Sequence, residues 1–290
     1  MLSDAFLARL DTLQLAMKGR ASGGAGGTRR SRQTGSSAEF SDYREYIPGD
    51  DIRRIDWNAM ARFDKLFLKL FMEEQESAVT VLLDCSASMG EKWETARQAA
   101  EAVGYLALTG GDRLRVYGLQ GSDPESQVLP GGRMSPLLSG RQAYARLEQF
   151  LDTCRPAGNV DLNGAVMRLE GLRKGLCFLI SDCYAEEGIG MALDSLRFRA
   201  QECAVIQPLS PFELNPEADG ALRLTDCESG EHVDLLADRE VLADYRRTLD
   251  KFLAEIRETC FRRETPYVLL DAGKNFEEEW IPLLSQSRMI

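Results

Sequence analysis

The sequence predicts an α/β protein with a doubly wound, mostly parallel sheet, an N-terminal charged extension and a β-hairpin insertion. Short apolar runs, such as 78–83 and 176–180, are typical of strands that are buried on both faces. Segments with helical periodicity separate these runs, and such alternation favours a parallel sheet with helices on both faces. With 44% hydrophobic and 28% charged residues, the chain has the composition of a globular protein with its own core.

Each predicted element follows from a local pattern. Apolar side chains recur at helical spacing over 3–18, and 66–71 is strand-like. The alternating region has strand 78–83, helix 92–108, strand 114–119, helix 141–151, a helix that reaches 173, strand 176–180, helix 189–200 and strand 204–206. The last part departs from this alternation, with a hairpin at 221–236, helix 239–262, strand 267–270 and helix 276–284.

The uneven distribution of charge predicts two regions. Residues 1–72 contain 12 Lys and Arg against 9 Asp and Glu, whereas the remainder contains 23 against 37. We therefore expect an N-terminal region over 1–76, with a helix, a basic Gly-rich loop and a charged segment, and a second domain over 77–290. The basic loop at 17–35 is either a contact for phosphate or an acidic partner, or a solvated flexible segment.

Composition excludes several classes of function. A net charge of −11 disfavours nucleic-acid binding, and no apolar run is long enough for a membrane span. We expect a cytoplasmic protein, since no signal peptide is recognisable and the seven cysteines lack disulfide or zinc spacing. The single histidine, His232, argues against Ser-His-Asp or Cys-His catalysis, so we expect no enzymatic activity.

Polar side chains follow two of the buried strands at the point where each strand ends. Asp84, Ser86 and Ser88 come directly after the first run, and Asp182 follows the second. The carboxyl ends of strands in a doubly wound sheet share one edge, so we expect these four side chains to converge. Their oxygens would suit Mg²⁺ or Mn²⁺. Alternatively, Asp84 and Ser86 cap the following turn and helix without any metal.

The spacing D-x-S-x-S after a buried strand resembles the metal-ion-dependent adhesion site of von Willebrand A-like domains. This resemblance implies that Asp84, Ser86, Ser88 and Asp182 hold a metal, whose shell an acidic group of a partner can complete. The family has a threonine in a later loop, where this chain has Val160. The neighbouring side chains Asn159 and Asp161 are the possible substitutes.

A second resemblance covers the segment before this domain. The stretches E-F-S-D-Y-R-E-Y, P-G-D-D and R-R-I-D-W resemble a bacterial family numbered fifty-eight among the domains of unknown function, in which such a segment joins a von Willebrand A-like domain. The resemblance implies a MoxR-type AAA+ ATPase as partner. Dense opposite charges around two aromatic residues form either a salt-bridged hairpin or a docking surface. The candidate docking residues are Arg44, Tyr46, Asp50, Asp51, Arg53, Asp56, Trp57 and Arg62.

These patterns support three hypotheses about function. The first is a protein-interaction module with a metal site that serves a AAA+ ATPase. The second is a structural scaffold whose metal site is degenerate, as Val160 suggests. The third is a metal-dependent phosphohydrolase with Asp84 as nucleophile, which the sequence disfavours because Ser86 stands where that chemistry requires a second acid.

Overall fold

The computed structural model describes residues 1–13, 15, 40–47, 52, 55–63, 65–71, 78–120, 132–216, 220–227 and 230–290. The chain divides into a larger unit, Met1–Gly26 with Ser77–Ile290, and a smaller unit, Gly27–Glu76. The predicted basic loop at 17–35 lies outside the described residues, as do the docking candidates Asp50, Asp51 and Arg53.

The described helices and strands alternate through most of the larger unit. In chain order they are α1 (Asp4–Leu10), β1 (Phe40–Glu45), α2 (Trp57–Phe63), β2 (Phe67–Phe71), β3 (Ala78–Asp84), α3 (Trp93–Thr109), β4 (Arg113–Leu119), β5 (Arg133–Met134), β6 (Leu138–Ser139), α4 (Tyr144–Leu151), α5 (Leu162–Arg168), β7 (Gly175–Ile180), α6 (Gly190–Phe198), β8 (Gln201–Leu209), α7 (Pro211–Leu214), β9 (Gly220–Thr225), β10 (His232–Ala237), α8 (Arg239–Arg262), β11 (Tyr267–Asp271) and α9 (Phe276–Gln286). A 3-10 helix at Ala87–Lys92 precedes α3.

The central sheet is mostly parallel, as the sequence predicts. Its strand order is β11–β8–β7–β3–β4–β5, and β6 also pairs with β4. The five strands from β11 to β4 are parallel, whereas the short β5 and β6 run antiparallel to β4. In the register of the three central strands, Val81 lies opposite Val116 on one side and Phe178 on the other.

Alternation along the central strands sends apolar side chains into two separate cores. Val81 and Leu83 of β3 belong to one cluster, with side chains of α1, α3, α4 and α9. Leu82 belongs to a second cluster on the other face, with side chains of α5, α6 and α8. Both faces of the sheet are therefore covered, which explains why these strands are continuous apolar runs.

The first helix belongs to the larger unit, which differs from the expected boundary at residue 76. Phe6 and Leu10 are fully buried, and Phe6 packs edge-to-face on Phe276 at a centroid distance of 6.0 Å. The helix also ends at Leu10, short of the predicted residue 18. The Asp11 carboxylate there accepts a hydrogen bond from Tyr105 Oη at 2.7 Å and pairs with Arg141. These tertiary contacts hold the chain at the point where the helix ends, although apolar residues at helical spacing continue in the sequence.

A second difference concerns the helix that was expected to reach residue 173. Helix α5 ends at Arg168, and Leu169 is already extended with φ −61° and ψ 131°. The guanidinium of Arg199 donates to the carbonyl oxygens of Val166, at 3.4 Å, and Met167, at 2.6 Å. A cation at the last carbonyls of a helix satisfies groups that have no helical partner, so the ending depends on a residue distant in sequence.

The described residues of the smaller unit include two strands and the short helix α2. Strands β1 and β2 pair in antiparallel fashion, with Glu45 opposite Phe67. Asp56 is buried, and its carboxylate accepts from the backbone N–H of Ala59 at 3.2 Å in the first turn of α2. Lys65 pairs with Glu45 at 2.6 Å. Among the described residues, no helix has the length and apolar character needed to cross a bilayer.

Replacing Phe6 with alanine tests the assignment of α1 to the larger unit. We expect Phe6→Ala to lower the free energy of unfolding by about 3–5 kcal/mol, because it leaves a cavity against Phe276 in the buried core. Urea denaturation measures this loss. Phe198→Ala is the matched control, since Phe198 is 93% exposed. Equal stability of the two variants would contradict the assignment.

Candidate metal centre

The candidate site lies where the connections of the sheet diverge. From the central strand β3, the chain crosses one face of the sheet through α3 and enters β4, which lies on one side of β3. Strand β7 lies on the other side of β3, and the helices before and after it, α5 and α6, cover the opposite face of the sheet. A crevice opens at the carboxyl ends of neighbouring strands at such a point. Asp84 ends β3 and residues 85–88 follow it here, whereas 181–184 follow β7.

Asp84 is the most constrained side chain at this edge. It is 4% exposed, and its Oδ1 accepts from the backbone N–H of Ser86 at 2.9 Å. The Ser181 hydroxyl donates to its Oδ2 at 2.6 Å. The hydroxyls of Ser86 and Ser88 lie 2.9 Å apart. These three serines and Asp84 therefore form one connected group of oxygens.

The second carboxylate, Asp182, is held by the turn that follows β7. The backbone N–H of Tyr184 donates to Asp182 Oδ1 at 3.3 Å, and Gln207 Nε2 donates to its carbonyl oxygen at 2.7 Å. Cys183, which lies between Asp182 and Tyr184 in the chain, adopts a left-handed φ of 65°, and its N–H donates to Ser181 Oγ at 3.0 Å. A strained residue at this point lets the turn fold back on its own carboxylate.

The two carboxylates repel each other in a buried setting. Burial raises the pKa of Asp84 to about 6, and the charge of Asp182 adds to this, against the hydrogen bonds from Ser181 and Ser86. The charged form of Asp84 is thus disfavoured in the protein without a further positive charge. A cation at this position would favour ionisation of both carboxylates.

A buried lysine that the sequence analysis overlooked supplies one positive charge. Lys92 is 1% exposed, and its Nζ lies 3.0 Å from Asp182 Oδ2, without hydrogen-bond geometry to that oxygen. Nζ also donates to Glu213 and lies 4.8 Å from the centroid of the Tyr184 ring. Glu213 forms a capping box with Ser210 at the start of α7, so Lys92 connects the loops after β3, β7 and β8.

The loop expected to contain a threonine lies beside this group. The N–H of Ala87 donates to the Gly158 carbonyl at 2.8 Å, which fixes the loop next to the serines. Val160 is half-buried and packs against the second core cluster. Asn159 is exposed, and Asp161 caps α5 by accepting from the N–H of Gly164 at 2.8 Å. No hydrogen bond or ion pair of the described residues joins either side chain to Asp84 or Asp182.

The predicted residues Asp84, Ser86, Ser88 and Asp182 therefore line one cleft, together with Asn159 and Asp161. The donors are hard oxygens, and the residues present fit a small divalent cation in their chemistry. Within the described ranges, no group of three or more His, Cys, Asp or Glu side chains could hold a metal ion, so such a cation would depend on the serine hydroxyls.

The cleft is large, open and acidic. It has a volume of about 1760 Å³, and the hairpin β9–β10 contributes Leu224 and Val233 to its wall. Nine carboxylate side chains and one ammonium group, that of Lys92, line it among the described residues. Its surface therefore attracts cations and repels an unneutralised anionic group.

Comparison with known proteins identifies the family. The family model described as Protein of unknown function DUF58 matches residues 42–253. The chain belongs to the DUF58 family. The resemblance of the segment before β3 to this family is thereby confirmed.

Relatives and similar structures extend over most of the chain. Uncharacterized protein Rv1480 of Mycobacterium tuberculosis and Uncharacterized protein Mb1516 of Mycobacterium bovis are each 26% identical over 97% of this chain and 89% of their own. The conserved hypothetical protein BatB from Bacteroides thetaiotaomicron has 14% identity and a TM-score of 0.41, over 73% of this chain and 98% of its own. An aerotolerance-related membrane protein from Bacteroides fragilis has 15% identity and a TM-score of 0.43, over 74% and 100%.

The family segment contains the remaining docking candidates. Trp57 is 63% exposed at the start of α2, and Arg62 is exposed near its end. Tyr46 is half-buried and its N–H donates to the Leu66 carbonyl at 2.9 Å, while Arg44 lies in β1. The Trp57 ring is thus accessible to solvent.

Loss of the Lys92 charge tests the electrostatic account of the site. We expect Lys92→Met to lower the free energy of unfolding by about 3–5 kcal/mol in metal-free buffer, because it leaves the buried Asp182 without its ion-pair partner. Lys251→Met is the matched control, since Lys251 is exposed on α8. The same urea midpoint for both variants would show that Lys92 does not stabilise the carboxylate pair.

Proposed function

We propose that this DUF58 protein is a protein-interaction module of von Willebrand A-like fold that binds a divalent cation, Mg²⁺ or Mn²⁺, at Asp84, Ser86, Ser88 and Asp182. The observation that supports this proposal is the convergence of two buried carboxylates and two hydroxyls at the crevice between β3 and β7. When bound, the cation would supply positive charge for an anionic group of a partner. We propose no catalytic activity for the site.

Different residues would orient the oxygens that hold such a cation and stabilise the site before the cation binds. Asp84 is oriented by Ser86 N–H and Ser181 Oγ, and Asp182 by Tyr184 N–H, so little reorganisation is needed to present their oxygens. Lys92 would keep the region folded before the cation arrives, at the cost of competing with it for Asp182. The affinity is therefore set by this competition as well as by the oxygens.

A metal-free scaffold is the second candidate function, and specific observations favour it. The side chain of Val160 supplies no oxygen where the adhesion-site pattern has threonine, and Asp161 is occupied as the cap of α5. Lys92 already provides one positive charge beside Asp182. In this alternative the ammonium group takes the place of the metal, and the cleft serves as a rigid surface.

Titration with Mn²⁺ distinguishes these two functions. We expect calorimetry to show saturable binding to the natural protein and none to Asp84→Asn, which removes one of the two carboxylate charges. Asp194→Asn is the matched control, because Asp194 is exposed and pairs with Arg263 at 2.7 Å, away from the site. Binding that survives Asp84→Asn, or is absent from the natural protein, would favour the scaffold.

The partner that the family resemblance implies is a MoxR-type AAA+ ATPase, which we propose binds through the cleft and through Trp57. We expect the natural protein to capture the purified ATPase in Mn²⁺ and to release it in EDTA. Trp57→Ala should weaken capture by about tenfold or more without altering Mn²⁺ affinity, as for an exposed aromatic anchor. Phe261→Ala, which removes another exposed aromatic ring, is the control. Capture unaffected by both EDTA and Trp57→Ala would contradict this part of the proposal.

A further inference from the structure

A second pocket, with polar and apolar lining residues, lies at the opposite, amino edge of the central sheet. The start of β3, one face of β4 and the segment after α5 line it, and its volume is about 30 Å³. Its polar lining residues are Arg113, Arg115, Arg173, Tyr117 and Thr80. It shares no lining residue with the acidic cleft.

The sequence of β4 is unusual for a strand inside a covered sheet. Arg113, Arg115 and Tyr117 occupy alternate positions and therefore point to the same face, where apolar side chains are the rule. The register places Thr80 of β3 opposite Arg115, so a hydroxyl-bearing residue adjoins the arginines. The early end of α5 leaves this part of the face beneath the irregular segment at 169–174 rather than beneath a helix.

Two polar groups in this pocket are buried without a hydrogen-bond partner. Tyr117 is 5% exposed and its hydroxyl has no partner, and the Nε of Arg115 is likewise buried and unpaired. Among the ion pairs of the described residues, none includes Arg115 or Arg173. Buried donors without acceptors are rare in folded proteins, and both groups here can donate. The missing element is an acceptor, and beside arginine an anionic acceptor is favoured.

We propose that this pocket binds an oxyanion, the carboxylate or phosphate group of a small ligand. Arg115 donates through Nε and an adjacent Nη, the fork geometry that matches two oxygens of one anion. Tyr117 Oη donates to the same group, and Arg173 supplies charge at the open side, where it is exposed. The void is about twice the ~10–15 Å³ that one water needs, which admits the anionic group while the rest of the ligand stays outside.

Two-dimensional NMR of arginine Nε–H groups tests this inference directly. The Arg115 signal is assigned by its absence from Arg115→Gln. We expect it to shift saturably when inorganic phosphate or acetate is added to the full chain, and not when chloride is added at the same ionic strength. The tighter of the two oxyanions identifies whether a phosphate or a carboxylate group is the ligand.

Two variants and a control make the outcome decisive. Tyr117→Phe removes one oxygen and keeps the packing, and we expect it to weaken the tighter oxyanion by about tenfold, the effect of one hydrogen bond to a charged group. Arg115→Gln should abolish the saturable heat of binding, whereas Arg133→Gln, an exposed arginine on β5, should leave it unchanged. An equal response to chloride, no response to either oxyanion, or unchanged affinity in Tyr117→Phe would overturn the inference and leave a pocket filled by water.

Discussion

Two carboxylates buried side by side at the ends of β3 and β7 impose the main constraint on this structure. Taking charged groups out of water costs free energy unless each is paired or hydrogen-bonded. Ser181 and the N–H of Ser86 satisfy Asp84, and the ammonium of Lys92 neutralises part of the charge of Asp182. Because Lys92 also binds Glu213 of α7, the demand of one carboxylate determines how three loops are arranged.

Acidic side chains lie at the carboxyl edge of the sheet and basic side chains at its amino edge, and both match the dipoles of the adjoining helices. At the carboxyl edge, Asp161 caps the start of α5, and acidic side chains line the cleft. At the other edge, Arg199 binds the last carbonyls of α5, and Arg197 donates to the carbonyl of Arg263 after α8 at 2.7 Å. Acids at helix starts and bases at helix ends both complement the helix dipole. The acidic cleft and the arginine pocket are therefore two ends of one charge distribution.

Sequence reasoning was most informative where a rule of local pattern applies. The buried strands are apolar runs because both faces of the sheet are covered. Since parallel strands have their carboxyl ends at one edge, the sequence alone predicts that Asp84 and Asp182 lie close together. The hairpin and the long helix α8 also follow from periodicity. In each case the interaction that decides the structure is local or repeats along the sheet.

The features that sequence reasoning missed depend on partners far apart in the chain. Lys92 reads as an ordinary charged residue near a helix start, and only Asp182 and Glu213, 90 and 121 positions later, explain its burial. Ser181 was missed as a site residue although it adjoins Asp182, and its position directly after a buried apolar strand was the available signal. The end of α5 likewise depends on Arg199. Such side-chain contacts leave no periodic trace.

The charge of the cleft also limits how a partner can approach. An anionic side chain that entered an acidic cleft of this kind would be repelled, and Lys92 is too deeply buried and too fully engaged to attract it. A divalent cation held by Asp84 and Asp182 would reverse the local sign, so binding of the metal and of an acidic group would be coupled. Without a metal, the same cleft would favour a segment rich in lysine or arginine. The sign of charge that the cleft would select in a partner therefore depends on whether the site holds a cation.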